Sequence, residues 1–163
     1  MKKPVYEDNP QNKAIIMLFI ILFVGVIIGL VVSFGSIGLL QRRMGSIEDI
    51  RPFWDAFRVN FTLDTIVICM NLALLFGLLW SYKKDFKQTQ SPFVLGLIVF
   101  LFVLFIQSLL SLPILNLIVS LLEIGVKQGA AYIFLAYKSS IFGILSHFFE
   151  TVALIILYYL SRE

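Results

Sequence analysis

Charged side chains are scarce in this sequence. Only 14% of its 163 residues are Asp, Glu, Lys or Arg, whereas 60% are hydrophobic. A soluble domain carries about 25% charged and about 45–50% apolar residues, and a small domain leaves much of its surface in contact with water. Because this chain has too few polar residues to cover such a surface, we expect its solvent to be a lipid bilayer.

Cysteine and histidine each occur once, as Cys69 and His147. A single cysteine excludes a disulfide within the chain and a cysteine metal cluster, so we interpret Cys69 as a small buried apolar residue. A single histidine excludes haem ligation by two histidines of the chain. It also leaves a zinc site, which needs three or four protein ligands, without most of its usual donors. We therefore predict no cofactor and no metal.

The excess of positive charge is small. The formal net charge is +3, and the basic residues flank apolar runs, whereas nucleic-acid binding needs a basic stripe on a soluble face. Positive charge near helix ends is expected of any membrane protein. The predicted partners are the lipid bilayer and either further copies of this chain or other membrane proteins, with no nucleic acid.

Four apolar runs are long enough to cross a bilayer, which takes about 20 helical residues. They predict an all-α, polytopic transmembrane helix bundle forming one membrane domain. The first run is longer than the roughly 7–15 apolar residues of a signal-peptide core, so we interpret it as a retained span. The predicted spans cover residues 14–40, 61–82, 93–112 and 141–160.

Two further segments lie between these runs. Residues 46–60 place aromatic and aliphatic side chains on one helical face, which predicts a short interfacial amphipathic helix; a plain loop with an aromatic anchor is the alternative. Residues 114–138 follow Pro113 and are apolar, but they carry Glu123 and Lys127. They leave too little room for two full spans, so a re-entrant or interfacial helix fits better.

The basic residues also bear on topology. Four spans place the N-terminus, the loop after the second span and the C-terminus on one side, which holds seven Lys and Arg residues against six on the other. Arg42 and Arg43 favour the opposite orientation. The lysines at 83, 84 and 87 lie tight against two spans, however, and such short basic loops stay in the cytoplasm. We predict a multi-pass protein of the cell membrane with a cytoplasmic N-terminus.

Small residues recur at every fourth position of the first run, as Gly25, Gly29 and Ser33. A ridge of this kind lets two helix backbones approach closely, which is how helices associate in lipid, where no hydrophobic effect draws them together. We predict that this ridge is a helix-packing surface.

Polar side chains inside the other runs are costly and usually face protein or water. Their positions along the runs place them at comparable depths, in the outer half of the bundle, so we predict that they form one polar cluster. Its predicted members are Asp64, Asn71, Gln107, His147 and Glu150, with Ser108 and Ser111 close to Gln107 in the third run.

His147 and Glu150 are three residues apart and therefore share a helix face. Three interpretations of this pair remain open. It can be structural, making hydrogen bonds between helices. It can belong to a proton or cation pathway, because ionisable groups inside membranes often mark such routes. It can be a catalytic or metal site, although no nucleophile motif accompanies it and the chain has one histidine.

The stretch around this pair reads GILSHFFETVAL and resembles the late helix of the stage II sporulation protein M family. Members there carry a His, a Glu about one turn later and then an apolar run with alanine, as His147, Glu150 and Ala153 do here. The basic N-terminus and the long first span also fit. The chain departs from the family at Ser146 and Phe148, where Pro and Gly are common, and the family's Glu often lies one residue further on.

This resemblance implies a membrane protein that is not an enzyme and that assembles with other envelope proteins. The residues themselves predict the same class, because the loops are short and no complete catalytic motif is present. The leading hypothesis is a scaffold or assembly subunit of a membrane complex. The alternative is a small transporter, or a proton or cation pathway, that uses the intramembrane polar residues.

Overall fold

The computed structural model of the chain describes residues 10–44, 51–113, 115 and 141–160. These residues form four helices and no strand, which confirms the all-α prediction for this part of the chain. The helices are α1 (Pro10–Met44), α2 (Arg51–Thr89), α3 (Pro92–Leu110) and α4 (Ile141–Leu160).

Three of these helices are long and apolar enough to cross a membrane, through the stretches Ile15–Leu39, Phe57–Thr89 and Pro92–Leu110. The apolar stretch of α4, Gly143–Tyr159, is shorter, at no more than 17 residues. A helix rises about 1.5 Å per residue, so this stretch is about 26 Å long, slightly less than the roughly 30 Å of a hydrocarbon core.

The second helix is longer than the sequence predicted. The interfacial helix expected over residues 46–60 and the span expected from residue 61 are, from Arg51 onward, one continuous helix. No proline lies between Pro52 and the end of α2, and Gly77 is the single glycine in it, so nothing ends the helix near residue 60. The predicted boundary there is absent. Residues 46–50 lie outside the described part of the chain.

The basic loop expected after the second span is also helical, because α2 continues to Thr89. The connection to α3 consists of Gln90 and Ser91 alone. Gln90 has a φ of 47°, the left-handed conformation that ends many helices, and its amide donates to the Phe86 carbonyl over 2.9 Å. Pro92 then begins α3 at a position where its missing N–H costs nothing. This tight turn makes α3 antiparallel to α2.

The predicted small-residue ridge lies against α2. A Cβ atom added at Gly25 would lie 2.8 Å from the Met70 Cα, and one added at Gly29 would lie 2.7 Å from the Ile66 Cα. Distances this short mean that the two backbones are in direct contact at both glycines. Because the α2 partner number falls as the α1 number rises, the two helices are antiparallel.

The same ridge ends in a hydrogen bond. Ser33 is fully buried, and its Oγ lies 2.8 Å from the Thr62 Oγ1. Towards the other end of the pair, the Ile21 side chain lies 3.0 Å from the position that a Cβ on Gly77 would take. Small residues on both helices therefore bring α1 and α2 together over most of the length of the span.

Helices α3 and α4 pack on another side of α2. Its Leu74 and Leu78 are fully buried in a cluster with Leu101 of α3 and with Leu154 and Tyr158 of α4. Tyr158 lies beside Gly77, and residues near the start of α4 contact α2 further towards its N-terminus, so α2 and α4 are parallel. It follows that α3 ends and α4 begins at the same end of the bundle. The predictions for residues 114–138 fall, residue 115 apart, outside the described residues.

The glycine contacts make a test of the α1–α2 interface possible. We expect Gly29→Ala to destabilise the bundle by roughly 1–3 kcal/mol, because its new methyl group would overlap the α2 backbone and force a shift. The measurement is the unfolding midpoint of the purified protein in detergent, followed by circular dichroism.

Gly35→Ala is the matched control, since a Cβ there would meet nothing within 4 Å and alanine favours the helix. We expect it to leave the midpoint unchanged or slightly raised. Equal midpoints for the two variants would contradict the close backbone contact.

Candidate functional site

The carboxyl group of Glu150 joins α4 to α3. Ser108 Oγ of α3 donates a hydrogen bond to Glu150 Oε1 over 3.1 Å, and His147 Nδ1 lies 3.3 Å from Glu150 Oε2. The His and the Glu meet because residues three apart are neighbours on a helix surface. Both oxygens of a carboxyl group inside the bundle thus have a polar partner, and the Ser108 side chain is almost fully buried.

Asn71 joins α2 to α4 in a similar way. Its Nδ2 donates to the His147 backbone carbonyl over 3.2 Å, and its Oδ1 accepts a hydrogen bond from the Thr151 hydroxyl. Thr151 Oγ1 also lies 2.8 Å from the His147 carbonyl, so its one proton is shared between two acceptors. Asn71 has no exposed surface, and its amide also interacts with the Glu150 side chain.

We call these five residues the polar clamp. Its two arms start from neighbouring turns of α4 and reach α2 and α3, so one helix is tied to two others by side-chain hydrogen bonds. The polar clamp consists of Asn71, Ser108, His147, Glu150 and Thr151.

Asp64 lies outside this clamp. It is 7% exposed, and its Oδ1 has no hydrogen-bond partner among the described residues. It lies on α2 seven residues before Asn71, about two turns away, on the same side of the helix, and close enough to His147 to interact with it electrostatically. Asp64 is therefore a buried carboxyl group beside the clamp without a hydrogen bond at one of its oxygens.

Gln107 is not brought into the cluster, contrary to the prediction. Its side chain is exposed on α3, and the next residue, Ser108, faces Glu150 instead. Depth along a run does not fix which way a side chain points, and neighbouring residues on a helix point about 100° apart. Ser111 donates to the Gln107 carbonyl of its own helix over 2.9 Å and so ties no two helices together.

Thr151 is the clamp residue that the sequence prediction missed. It follows His147 by four residues and so shares its face, but it stands in an apolar run and its hydroxyl is a modest polar signal. Only its register against Asn71 of another helix gives the hydroxyl a role. The clamp thus contains three of the five predicted polar residues, Asn71, His147 and Glu150, together with Ser108 and Thr151, while Asp64 lies beside it.

The chemistry of this site is that of a hydrogen-bonded contact that also holds ionisable groups. Within the four described helices, no group of three or more His, Cys, Asp and Glu side chains is placed to hold a metal ion. Cys69 is a buried free thiol, and its backbone carbonyl lies against Gly25 of α1. His147 Nδ1 and Glu150 Oε2 lie close enough to exchange a proton.

The clamp residues and Asp64 all fall within one matched stretch of the chain. Residues 60–162, more than half of the sequence, match the model of a family of unknown function, DUF8036. The chain belongs to the DUF8036 family. The match covers α3, α4 and α2 from Asn60 onward, whereas α1 and its glycines lie before it. No curated protein and no solved structure matches the chain.

The DUF8036 match does not bear on the resemblance to the stage II sporulation protein M family, which stays a prediction from the residues around His147. The predicted absence of enzymatic activity likewise stays a prediction. The match shows that both arms of the polar clamp lie in the region that the chain shares with the DUF8036 family.

The clamp geometry predicts a measurable coupling between α2 and α4. We expect Asn71→Ala to cost about 1–3 kcal/mol, because the variant loses the two hydrogen bonds that the buried Asn71 amide makes to α4, one with the His147 carbonyl and one with the Thr151 hydroxyl. In a double-mutant cycle with Thr151→Val, the two residues should couple by about 0.6 kcal/mol and at most about 1.7 kcal/mol, the range of such bonds in membrane proteins. Unfolding of each variant in mixed detergent micelles gives the four free energies.

Ser111→Ala is the control for this cycle. It removes a hydroxyl that bonds to its own helix backbone, so we expect little change and no coupling to Asn71. Additive effects of the Asn71 and Thr151 variants would show that the hydrogen bond between them contributes nothing to the bundle.

Proposed function

We propose that this DUF8036 protein is a four-span membrane protein with a cytoplasmic N-terminus that serves as a scaffold or assembly subunit of a membrane complex. The observation that carries this proposal is the polar clamp. Its side chains form hydrogen bonds within the clamp, and these bonds connect α2, α3 and α4. Interhelical hydrogen bonds of this kind hold the helices of a membrane bundle together.

Two features of α4 support a fourth span. It is parallel to α2, and its Leu154 and Tyr158 are buried against that helix. Its apolar stretch is only about 4 Å shorter than the hydrocarbon core, a mismatch that a bilayer accommodates at modest cost by thinning locally. A helix packed alongside a span and apolar over this length fits best inside the membrane.

The orientation follows from the charges at the two ends of the bundle. Because α1 and α2 are antiparallel, Lys13 at the start of α1 lies at the same end as the lysines at 83, 84 and 87 near the end of α2. This end also holds the short turn into α3. Positive charge next to short connections favours the cytoplasm, so this end is proposed to face it.

The surface of the bundle supports an assembly role. Among the 18 most apolar consecutive residues of α1 and of α3 only 11% are buried, against 44% in α2. Large apolar side chains such as Phe19, Val31 and Phe93 point outward. In a membrane these faces meet lipid or the helices of a partner. The resemblance to the stage II sporulation protein M family, which implies assembly with envelope proteins, agrees with this proposal.

An assembly role predicts that the protein does not exist alone. After gentle extraction from its native membrane, we expect it to migrate as an oligomer or with a stoichiometric membrane partner, as measured by native mass spectrometry and by light scattering on a sizing column. Asn71→Ala, by loosening the clamp, should lower the assembled fraction. A monomer with no co-purifying protein, in several mild detergents, would count against the proposal.

A second candidate function rests on Asp64. The clamp accounts for Glu150 and Asn71, but beside His147 one oxygen of the buried Asp64 carboxyl group has no hydrogen-bond partner in the part of the chain that the structure describes. Ionisable groups inside membranes often line proton or ion routes. A small proton or cation pathway running from Asp64 through His147 to Glu150 is therefore the alternative.

Flux measurements separate these two functions. A pathway predicts pH-dependent proton or cation flux into liposomes that contain the purified protein, and it predicts that Asp64→Asn or Glu150→Gln abolishes this flux while expression stays normal. Asp85→Asn, on the helix beyond the clamp, is the control that should keep it. No flux in the unmodified protein, together with lower stability of Glu150→Gln, would leave the structural role alone standing.

A further inference from the structure

One face of α2 changes character along its length. Its first part is apolar, then comes a tryptophan, and its last part is basic. Its members recur every three or four residues, with two pairs of neighbours among them, so they lie on a single helix face. In chain order they are Cys69, Leu72, Ala73, Phe76, Trp80, Lys83, Lys84 and Lys87.

The apolar part forms the floor of a groove of about 400 Å³. Val24 and neighbouring residues of α1 form one wall, and Phe105 of α3 stands on the other side. The groove exists because the glycines hold α1 close to one side of α2 while α3 packs on another. Almost all of its lining is apolar, so an acyl chain suits it better than a polar ligand does.

The basic part forms a second recess of about 270 Å³, lined by Trp80 and the three lysines that follow it. Phe76 lines the groove and Trp80 lines the recess. Their ring centroids lie 6.4 Å apart, so the two cavities are neighbours along α2. Within the described helices no salt bridge is formed by Lys83, Lys84 or Lys87, so the recess is lined by three positively charged side chains.

The distances along this face match one leaflet of a bilayer. From Cys69 to Trp80 the helix rises about 16 Å at about 1.5 Å per residue, roughly half of a hydrocarbon core of about 30 Å. Tryptophan favours the boundary between hydrocarbon and headgroups. The three lysines begin one turn beyond it, at the level where lipid phosphates lie.

We propose that this face of α2 binds an anionic phospholipid, with an acyl chain in the groove and the phosphate held by Lys83, Lys84 and Lys87. Under the orientation given above, the lipid belongs to the cytoplasmic leaflet, whose anionic lipids attract basic segments. The site does not depend on whether the protein is a scaffold or a pathway.

The test titrates the full chain, purified in a neutral detergent, with phosphatidylglycerol and follows bound lipid by native mass spectrometry. We expect one tightly held molecule, and weaker binding of phosphatidylcholine with the same acyl chains. Each lysine near a charged membrane surface is worth about fivefold in affinity, so replacing all three by glutamine should weaken binding on the order of 100-fold. The charge lies on the surface, so these variants should fold.

Three further variants make the result specific. Lys84→Gln and Arg58→Gln each remove one exposed positive charge from α2, but only the first lies in the recess, so only the first should weaken binding. Val24→Trp fills the groove from α1 at a position that is 44% exposed. It should weaken lipid binding without changing any charge.

The last arm distinguishes a lipid from a free phosphate. Glycerol phosphate, which has the headgroup chemistry without acyl chains, should not displace phosphatidylglycerol at comparable concentration. Displacement by glycerol phosphate combined with normal binding to Val24→Trp would replace the lipid site with a phosphate site and overturn the proposal. Equal binding of the two phospholipids, or full binding after loss of the three lysines, would overturn it as well.

Discussion

Apolar surface does not draw helices together in a bilayer, because lipid tails are as apolar as leucine. The helices of this protein are therefore held by close backbone contact and by hydrogen bonds, and α2 takes part in both. Its contact with α1 depends on Gly25 and Gly29, where no side chain separates the backbones. Its contact with α4 depends on Asn71, and α3 is tied in through Ser108 and Glu150. The leucine cluster fills space around contacts that these smaller and more polar residues define.

Sequence patterns within one helix predicted part of this arrangement, whereas contacts between helices were harder to predict. Apolar run length and composition fix the helical class, and the four-residue spacing of Gly25, Gly29 and Ser33 fixes a face, because both are properties of one helix. The polar cluster required rotations of separate helices about their axes. Packing sets those rotations, so Ser108 and not Gln107 meets Glu150. The boundary expected at residue 60 failed for another reason, since a change from polar to apolar residues does not end a helix unless a breaking residue stands there.

A structural role accounts for part of the polar cluster and not for all of it. A hydrogen bond between membrane helices contributes only about 0.6 kcal/mol on average, whereas a polar group buried without a partner costs several times more. Asn71 and Glu150 have partners, so they stabilise the bundle. Asp64 has an oxygen without one among the described residues, so it adds cost without a matching gain. The polar clamp does not account for that carboxyl group, so Asp64 is the residue on which the two functional hypotheses divide.

The start of the DUF8036 match separates α1 from the three helices that the polar clamp joins. The matched region contains both arms of the polar clamp and the three lysines of the basic recess, whereas α1, which precedes the match, contributes the glycine ridge and one wall of the groove. The clamp joins α2, α3 and α4 without any side chain from α1, so those three helices hold together through bonds of their own. Helix α1 packs closely against α2 through its glycines. Because it lies along one side of α2, the apolar face of α2 becomes the floor of a groove. The clamp therefore fixes how α2, α3 and α4 are arranged against one another, while α1 shapes the groove beside them.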